Sequence, residues 1–134
     1  MAVETLTVCH WSDLRDDEVT KNPSWQDVDS AVRQLDNGSG SDVYLKPLGA
    51  PAEVFLGVGG HAGHYVVCGT DARGRNPVLR NDVATDQTMV QLSVGGQLGE
   101  FPATFVVSLE QPLLAVRSFY EAGGFECGVA WDYT

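Results

Sequence analysis

Two of the chain's three histidines and one of its three cysteines fall in the single stretch GGHAGHYVVCG, Gly59 to Gly69. Imidazole and thiolate are common zinc ligands and common partners in nucleophilic catalysis, so their spacing has to be tested against both chemistries. Read as a strand, HYVVC turns His64, Val66 and Cys68 to one face, and strand rise separates His64 from Cys68 by about 13 Å. One ion cannot bridge that. His61 falls in the glycine-rich turn ahead of the strand, where a His-x-x-His pair has neither helical nor knuckle geometry. Cys9 and His10 are adjacent and alternate faces in an extended segment. The spacing predicts no metal site and no cofactor.

Other catalytic templates fit no better. GVGGHAG lacks the following helix that would make it a phosphate cradle, and no serine stands in a Gly-x-Ser-x-Gly elbow. Cysteine–histidine pairs can be drawn in several ways, and nothing selects one of them. Asp16 and Asp17 belong to a charged run, SDLRDDEV, that reads as solvated surface. Glu100 differs, because it sits between apolar neighbours in a glycine-rich segment. It is expected either to bond backbone donors of its own loop or to face a ligand. A pocket formed by His10, His61, His64 and Glu100 is the catalytic alternative, and whether the chain is an enzyme stays open.

The elements that would position these groups follow from composition and period. At 134 residues, 43% apolar and 19% charged, the chain suits one domain over 1–134 with one core. Its N-terminus carries Glu4 and no basic segment leading into an apolar run, which points to the cytoplasm. No stretch is long and apolar enough to suggest a membrane partner. Three widely separated cysteines, Cys9, Cys68 and Cys127, make a poor disulfide framework. Eighteen acids against eight bases give a net charge of −10, which disfavours direct nucleic-acid binding and favours a basic partner.

Two helices are legible. In NPSWQDVDSAVRQLDNGSGS, Ser24 caps, Asp27 completes a capping box, and Trp25, Val28, Val32 and Leu35 make an apolar stripe that ends at Asn37-Gly38. In SLEQPLLAVRSFYEAGG, Ser108 and Gln111 suit a capping box, and Pro112 falls in the first turn. Leu109, Leu113, Val116 and Tyr120 share a face, and Gly123-Gly124 stops the run. Between the helices DVYLK, EVFLGV, HYVVCGT, RNPVLR, TMVQLSV and ATFVVS read as short strands, with GGHAG and GGQLGEFP as punctuation. TLTVCHW and CGVAWDY supply further strands. The expected fold is α+β: a mainly antiparallel, meandering sheet with two main helices packed on it.

One segment is more specific. SVGGQLGEFPATFVVSLEQPLLAVRSFYEAGGFECGVAW resembles the C-terminal half of family one of the immunity proteins of bacterial polymorphic toxin systems. The matching features are Gly95-Gly96-Gln97, Glu100-Phe101-Pro102, the helix with AVRSFYEAGG, and Val129 to Trp131. PSWQDVDSAVRQLD and VFLGVGGHAGHYVVCGTD look similar as well. The motif makes sense as scaffold: Gly95-Gly96 reverses the chain, Pro102 stiffens entry to the next strand, the helix buries Phe119 or Tyr120, and Trp131 closes the core.

The resemblance implies inhibition by binding a cognate toxin domain, often a nucleic-acid deaminase. The contacts would come from Asp13, Asp16, Asp17 and Glu18, with Trp11 or Tyr44 as aromatic anchors. It leaves room for a homodimer. It also leaves the alternative of a small-molecule-binding protein or biosynthetic enzyme on the same scaffold.

The ligand spacing makes one expectation measurable. Purified protein should carry no stoichiometric zinc and melt at the same temperature with and without chelator. About one zinc per chain by elemental analysis, with unfolding on chelation, would refute it.

Overall fold

The computed structural model describes residues 3–10, 15–37, 42–81, 88–94, 97–125 and 130–133. Among these the chain forms β1 (Val3–His10), β2 (Arg15–Lys21), α1 (Trp25–Gln34), β3 (Asp42–Pro47), β4 (Phe55–His61) and β5 (His64–Thr70). It continues through β6 (Pro77–Leu79), β7 (Met89–Val94), β8 (Gln97–Pro102), α2 (Glu110–Ala122) and β9 (Trp131–Tyr133). Seven strands make one antiparallel sheet in the order β2-β1-β3-β4-β5-β6-β9, and β7-β8 form a separate ribbon. The expected α+β class holds.

Strand alternation divides the large sheet into two unlike faces. Val8, Val43, Val58 and Val67 are successive cross-strand partners, as are Leu6, Leu45 and Leu56. These rows face the helices and form the main core with Val28, Val32, Leu35, Val116 and Phe119. Each fully buried aliphatic side chain there contributes about 1.5–3 kcal/mol of burial free energy. On the opposite face the partners are Thr7, Tyr44, Gly57 and Cys68. Val66 also lies on that face, where Leu92, Val106 and Phe101 cover it in a second, small cluster.

The helices obey their local signals. The Ser24 hydroxyl accepts from the Asp27 N–H at 3.1 Å while the Ser24 N–H donates to the Asp27 carboxylate at 2.9 Å, a complete capping box. Leu35, the last residue of the apolar stripe, falls in a 3-10 turn over Leu35–Asn37 and is fully buried. The exception is the start of α2: its N-cap is Leu109, not Ser108, with no side-chain cap bond. Of the expected Ser108–Gln111 box, only the Ser108 N–H donating to the Gln111 side chain at 3.3 Å is present. α2 ends on Gly123 at φ +75°, whose N–H donates to the Phe119 carbonyl at 2.7 Å. Phe119 and Tyr120 are both buried, and the Tyr120 hydroxyl donates to the Pro23 carbonyl at 2.8 Å, joining α2 to the start of α1. Trp131 is half-buried and packs edge-on against Phe125 beside this core.

Three expectations are corrected. ATFVVS is not a strand: Ala103–Phe105 make a 3-10 turn, and Val107 alone bridges to Tyr65. QLGEFP is a strand, not punctuation, because it pairs residue for residue with β7. Gly57, Gly59 and Gly60 lie within β4, and the turn is only Ala62-Gly63, both at positive φ as a type I′ hairpin requires. The charged run SDLRDDEV is solvated as expected where it is described, with Asp16 to Val19 exposed. This part belongs to a strand not expected from the sequence, the edge strand β2. Its charged side chains leave no apolar alternation to detect, and charge of that kind protects an exposed edge from unwanted pairing.

The hairpin of β4 and β5 is fastened to the end of α1 through Asp36. Its carboxylate accepts from the Tyr65 hydroxyl at 2.6 Å and from the Gly63 N–H at 2.9 Å. The tyrosine bond first, then the Gly63 bond, holds the Asp36 carboxyl below its ordinary range. Burial, then Asp36, pushes the Tyr65 hydroxyl up to about 12. A lowered folded value for Asp36 means stability present above the unfolded carboxyl value and lost as pH falls through the folded one. The raised Tyr65 value works the other way: its contribution is complete below about pH 10 and is lost as pH rises through about 12. Asp36→Asn should therefore lower the melting temperature at neutral pH, and the deficit should shrink in acid as the wild type loses the same bonds. A deficit that is constant from about pH 7 to about pH 2.5 would disprove the role given to Asp36.

Candidate functional site

The histidines do not assemble into one site. His61 and His64 are cross-strand partners flanking the Ala62-Gly63 turn, and both are exposed. His10 is buried at the end of β1, with Nε2 2.7 Å from the Glu18 carboxylate on β2. β3 lies between β1 and β4, which sets those strands about 10 Å apart. Glu100 stands exposed on β8, opposite Gln91. None of these four residues lines the cleft beside Asp71 or the groove between β2 and α1. Among the described residues, no group of three histidine, cysteine or acidic side chains is placed to hold a metal ion.

The thiols are quiet. Burial, then the charges of Asp42 and Asp17, pushes the Cys9 thiol up to about 12, so it is protonated at neutral pH. Burial also raises Cys68, although its residue is exposed overall on the open face of β5. Neither has the electropositive surroundings that make a nucleophile. Cys127 lies outside the described residues.

The cleft beside Asp71, about 250 Å³, lies between the β5–β6 connection and the end of α2. Asp71, Arg73 and Arg75 are its charged residues, and the oxygens of Asp71 are committed. Asp71 accepts from the Arg73 N–H at 3.0 Å, the Arg75 N–H at 2.8 Å and the Arg75 side chain at 2.7 Å. Burial raises its carboxyl, but these donors outweigh burial and hold it below the ordinary range. Arg75 in turn lies over the Tyr133 ring at 4.2 Å. The arrangement is a capped turn. The groove, about 370 Å³, separates β2 from α1 and is lined chiefly by polar side chains.

The residues nominated for partner contact fall on β2 and β3. Asp16, Asp17 and Glu18 are exposed on the edge strand, while Trp11 and Asp13 lie outside the described residues. Alternation splits the acids. Val19, Thr7 and Tyr44 are successive partners, so Asp17 shares the open face with Tyr44, whereas Glu18, opposite Val8, faces the helix side. Tyr44 is 37% exposed, packed edge-on against Phe55 at 5.7 Å. Its ring lies over Gly57, where an added Cβ would come within 3.0 Å of it. Burial and a hydrogen bond with buried Asp42 raise its hydroxyl. The ring is therefore fixed before any partner arrives.

Of the scaffold motif, Gly95 and Gly96 lie outside the described residues and Gln97 opens β8. Phe101 packs on the second cluster, and Pro102 leads into the 3-10 turn. A protein-family model described as Immunity protein Imm1 matches residues 16–132. The chain belongs to the Imm1 immunity-protein family. No curated protein matches it. The Imm1 match runs from the edge strand β2 to β9, the opposite edge of the sheet, so it takes in the whole sheet except β1. Membership gives this chain an immunity role against a toxin.

Within this Imm1 domain, Glu100 has the setting of a surface position. Glu100→Ala should change stability by no more than about 0.5 kcal/mol, against about 3–5 kcal/mol as the upper range for a buried aromatic such as Phe119→Ala. A drop of about 2 kcal/mol for Glu100→Ala in urea unfolding would restore the structural role expected of it in a loop.

Proposed function

We propose that this Imm1 protein works in the cytoplasm by binding a toxin domain of the nucleic-acid deaminase type and covering the surface that reaches its substrate. The observation that carries the reading is the run of three exposed acids, Asp16, Asp17 and Glu18, on the edge strand β2. Its side chains are exposed on both sides, and the row Val19–Thr7–Tyr44 joins it to an aromatic ring already fixed in place. A toxin domain that handles nucleic acid needs a basic surface, and a chain of net charge −10 is drawn to such a surface. Tyrosine is a frequent anchor of protein interfaces, because its large ring loses little conformational freedom on binding. Steering charge and a rigid anchor together describe an inhibitor.

The test is association with the toxin domain encoded beside the gene, followed by stopped-flow across a salt series. Neutralising Asp16, Asp17 and Glu18 together should slow association about tenfold at low salt and flatten its salt dependence, with a smaller change in dissociation. Tyr44→Ala should chiefly speed dissociation. A wild-type chain that neither binds this toxin nor rescues cells producing it would overturn the proposal.

A further inference from the structure

We infer that the groove between β2 and α1 is a receptor for one arginine side chain presented by the toxin, an inference that rests on the toxin-binding function proposed for this chain. The groove exists because β2 sends no apolar side chain toward the helix layer. Glu18 and Thr20 stand opposite Val8 and Leu6, and α1 turns Ser30 and Gln34 toward them, so the layers do not close. What remains is a cleft of about 370 Å³, inside the usual size range of ligand pockets.

Its chemistry selects a guanidinium. Leu6, Val8 and Ala31 give an apolar floor on which an aliphatic stem can lie. Glu18 on one wall and Asp27 on the other supply carboxylates, and the hydroxyl and amide groups between them add further acceptors. Among the described residues, no lysine or arginine lines the groove. Lys21 shares the parity of Val19 and faces the other side of β2, and Arg33 is held by Asp29 at 2.9 Å. A planar head with five donors on a long stem matches this set better than a point-charge ammonium does.

Both carboxylates are positioned in advance. The His10 ring, 4% exposed, meets the Glu18 carboxylate, 69% exposed, at 2.7 Å, so a buried imidazole aims a surface acid. Asp27 is held by its capping box with Ser24. Each carboxylate keeps acceptor capacity beyond these bonds, and groups already ordered lose little freedom when a ligand binds.

The experiment is an amide-resolved NMR titration of the full chain with N-acetyl-L-arginine amide. N-acetyl-L-citrulline amide, the same shape without the charge, serves as the parallel probe. The expected result is saturable shifts at about millimolar ligand, gathered at Thr20, Gln26, Asp27 and Ser30, weak with citrulline and lost in Glu18→Gln. Scattered shifts, or equal shifts with both probes, overturn the inference. In the toxin complex, Ser30→Arg fills the groove from within. It should weaken binding about tenfold while its melting curve stays that of a folded chain. Undiminished toxin binding by both Glu18→Gln and Ser30→Arg also overturns the inference. If the wild type binds no toxin, the proposed function and the toxin as the source of the arginine fall together. The titration still decides whether the groove takes the side chain.

Discussion

A seven-stranded sheet is wider than the two helices that cover it, and most features of this molecule stem from that mismatch. Seven strands span about 29 Å across, while two packed helices cover about 20 Å. The central strands β1, β3, β4 and β5 carry the valine and leucine rows that need covering, and both helices sit there. The outer strands have to end the sheet beyond the reach of the two helices. β9 does so by being three residues long, and β2 does so with charge on both of its sides. The acidic edge is thus a requirement of the fold before it is an instrument of function.

Fastening the helix layer to the sheet falls to a few polar bonds. Tyr120 reaches the Pro23 carbonyl across the two helices, and Asp36 reaches the β4–β5 turn from the end of α1. The second bond also accounts for an unusual backbone. Ala62 sits at φ +52°, a region costly for a residue with a Cβ, and the Gly63 N–H beside it is taken by Asp36. Gly60, at φ +118° in the same hairpin, has no room for a Cβ against the His64 carbonyl. The histidine-rich stretch that looks most like chemistry is therefore built around a backbone constraint.

The helices are legible in the sequence because their signals are local. A serine cap with its acid three residues on, and a glycine at the end of an apolar stripe, act through bonds within a turn or two, and both stand in place. The β5 alternation is legible for the same reason. β2 is not, because an edge strand in water shows no apolar period. ATFVVS misleads because its β-branched residues serve a turn and a single bridge to Tyr65, a partner far away in sequence. QLGEFP misleads in the opposite direction, since pairing with β7 overrides two turn-forming residues. At the candidate site, residue types point to Tyr44 and the β2 acids. That Asp17 and Glu18 face opposite sides of the sheet depends on register, which only pairing with β1 sets.

That division of the acids bears on how an immunity protein obtains both speed and selectivity. Charge spread along an exposed edge acts at a distance and speeds encounter with many basic surfaces. Selectivity needs groups that are fixed and that lose water only to the right partner. Here the two sides of one strand offer both. On the open side Asp17 shares a face with a tyrosine, one strand removed, whose ring is clamped by Phe55 and Gly57. On the helix side Glu18 is aimed by a buried histidine into a groove whose far wall carries a second carboxylate. A partner that satisfied only the charge would gain the encounter and little else. One that also matched the ring and the groove would be held on both sides of the same edge.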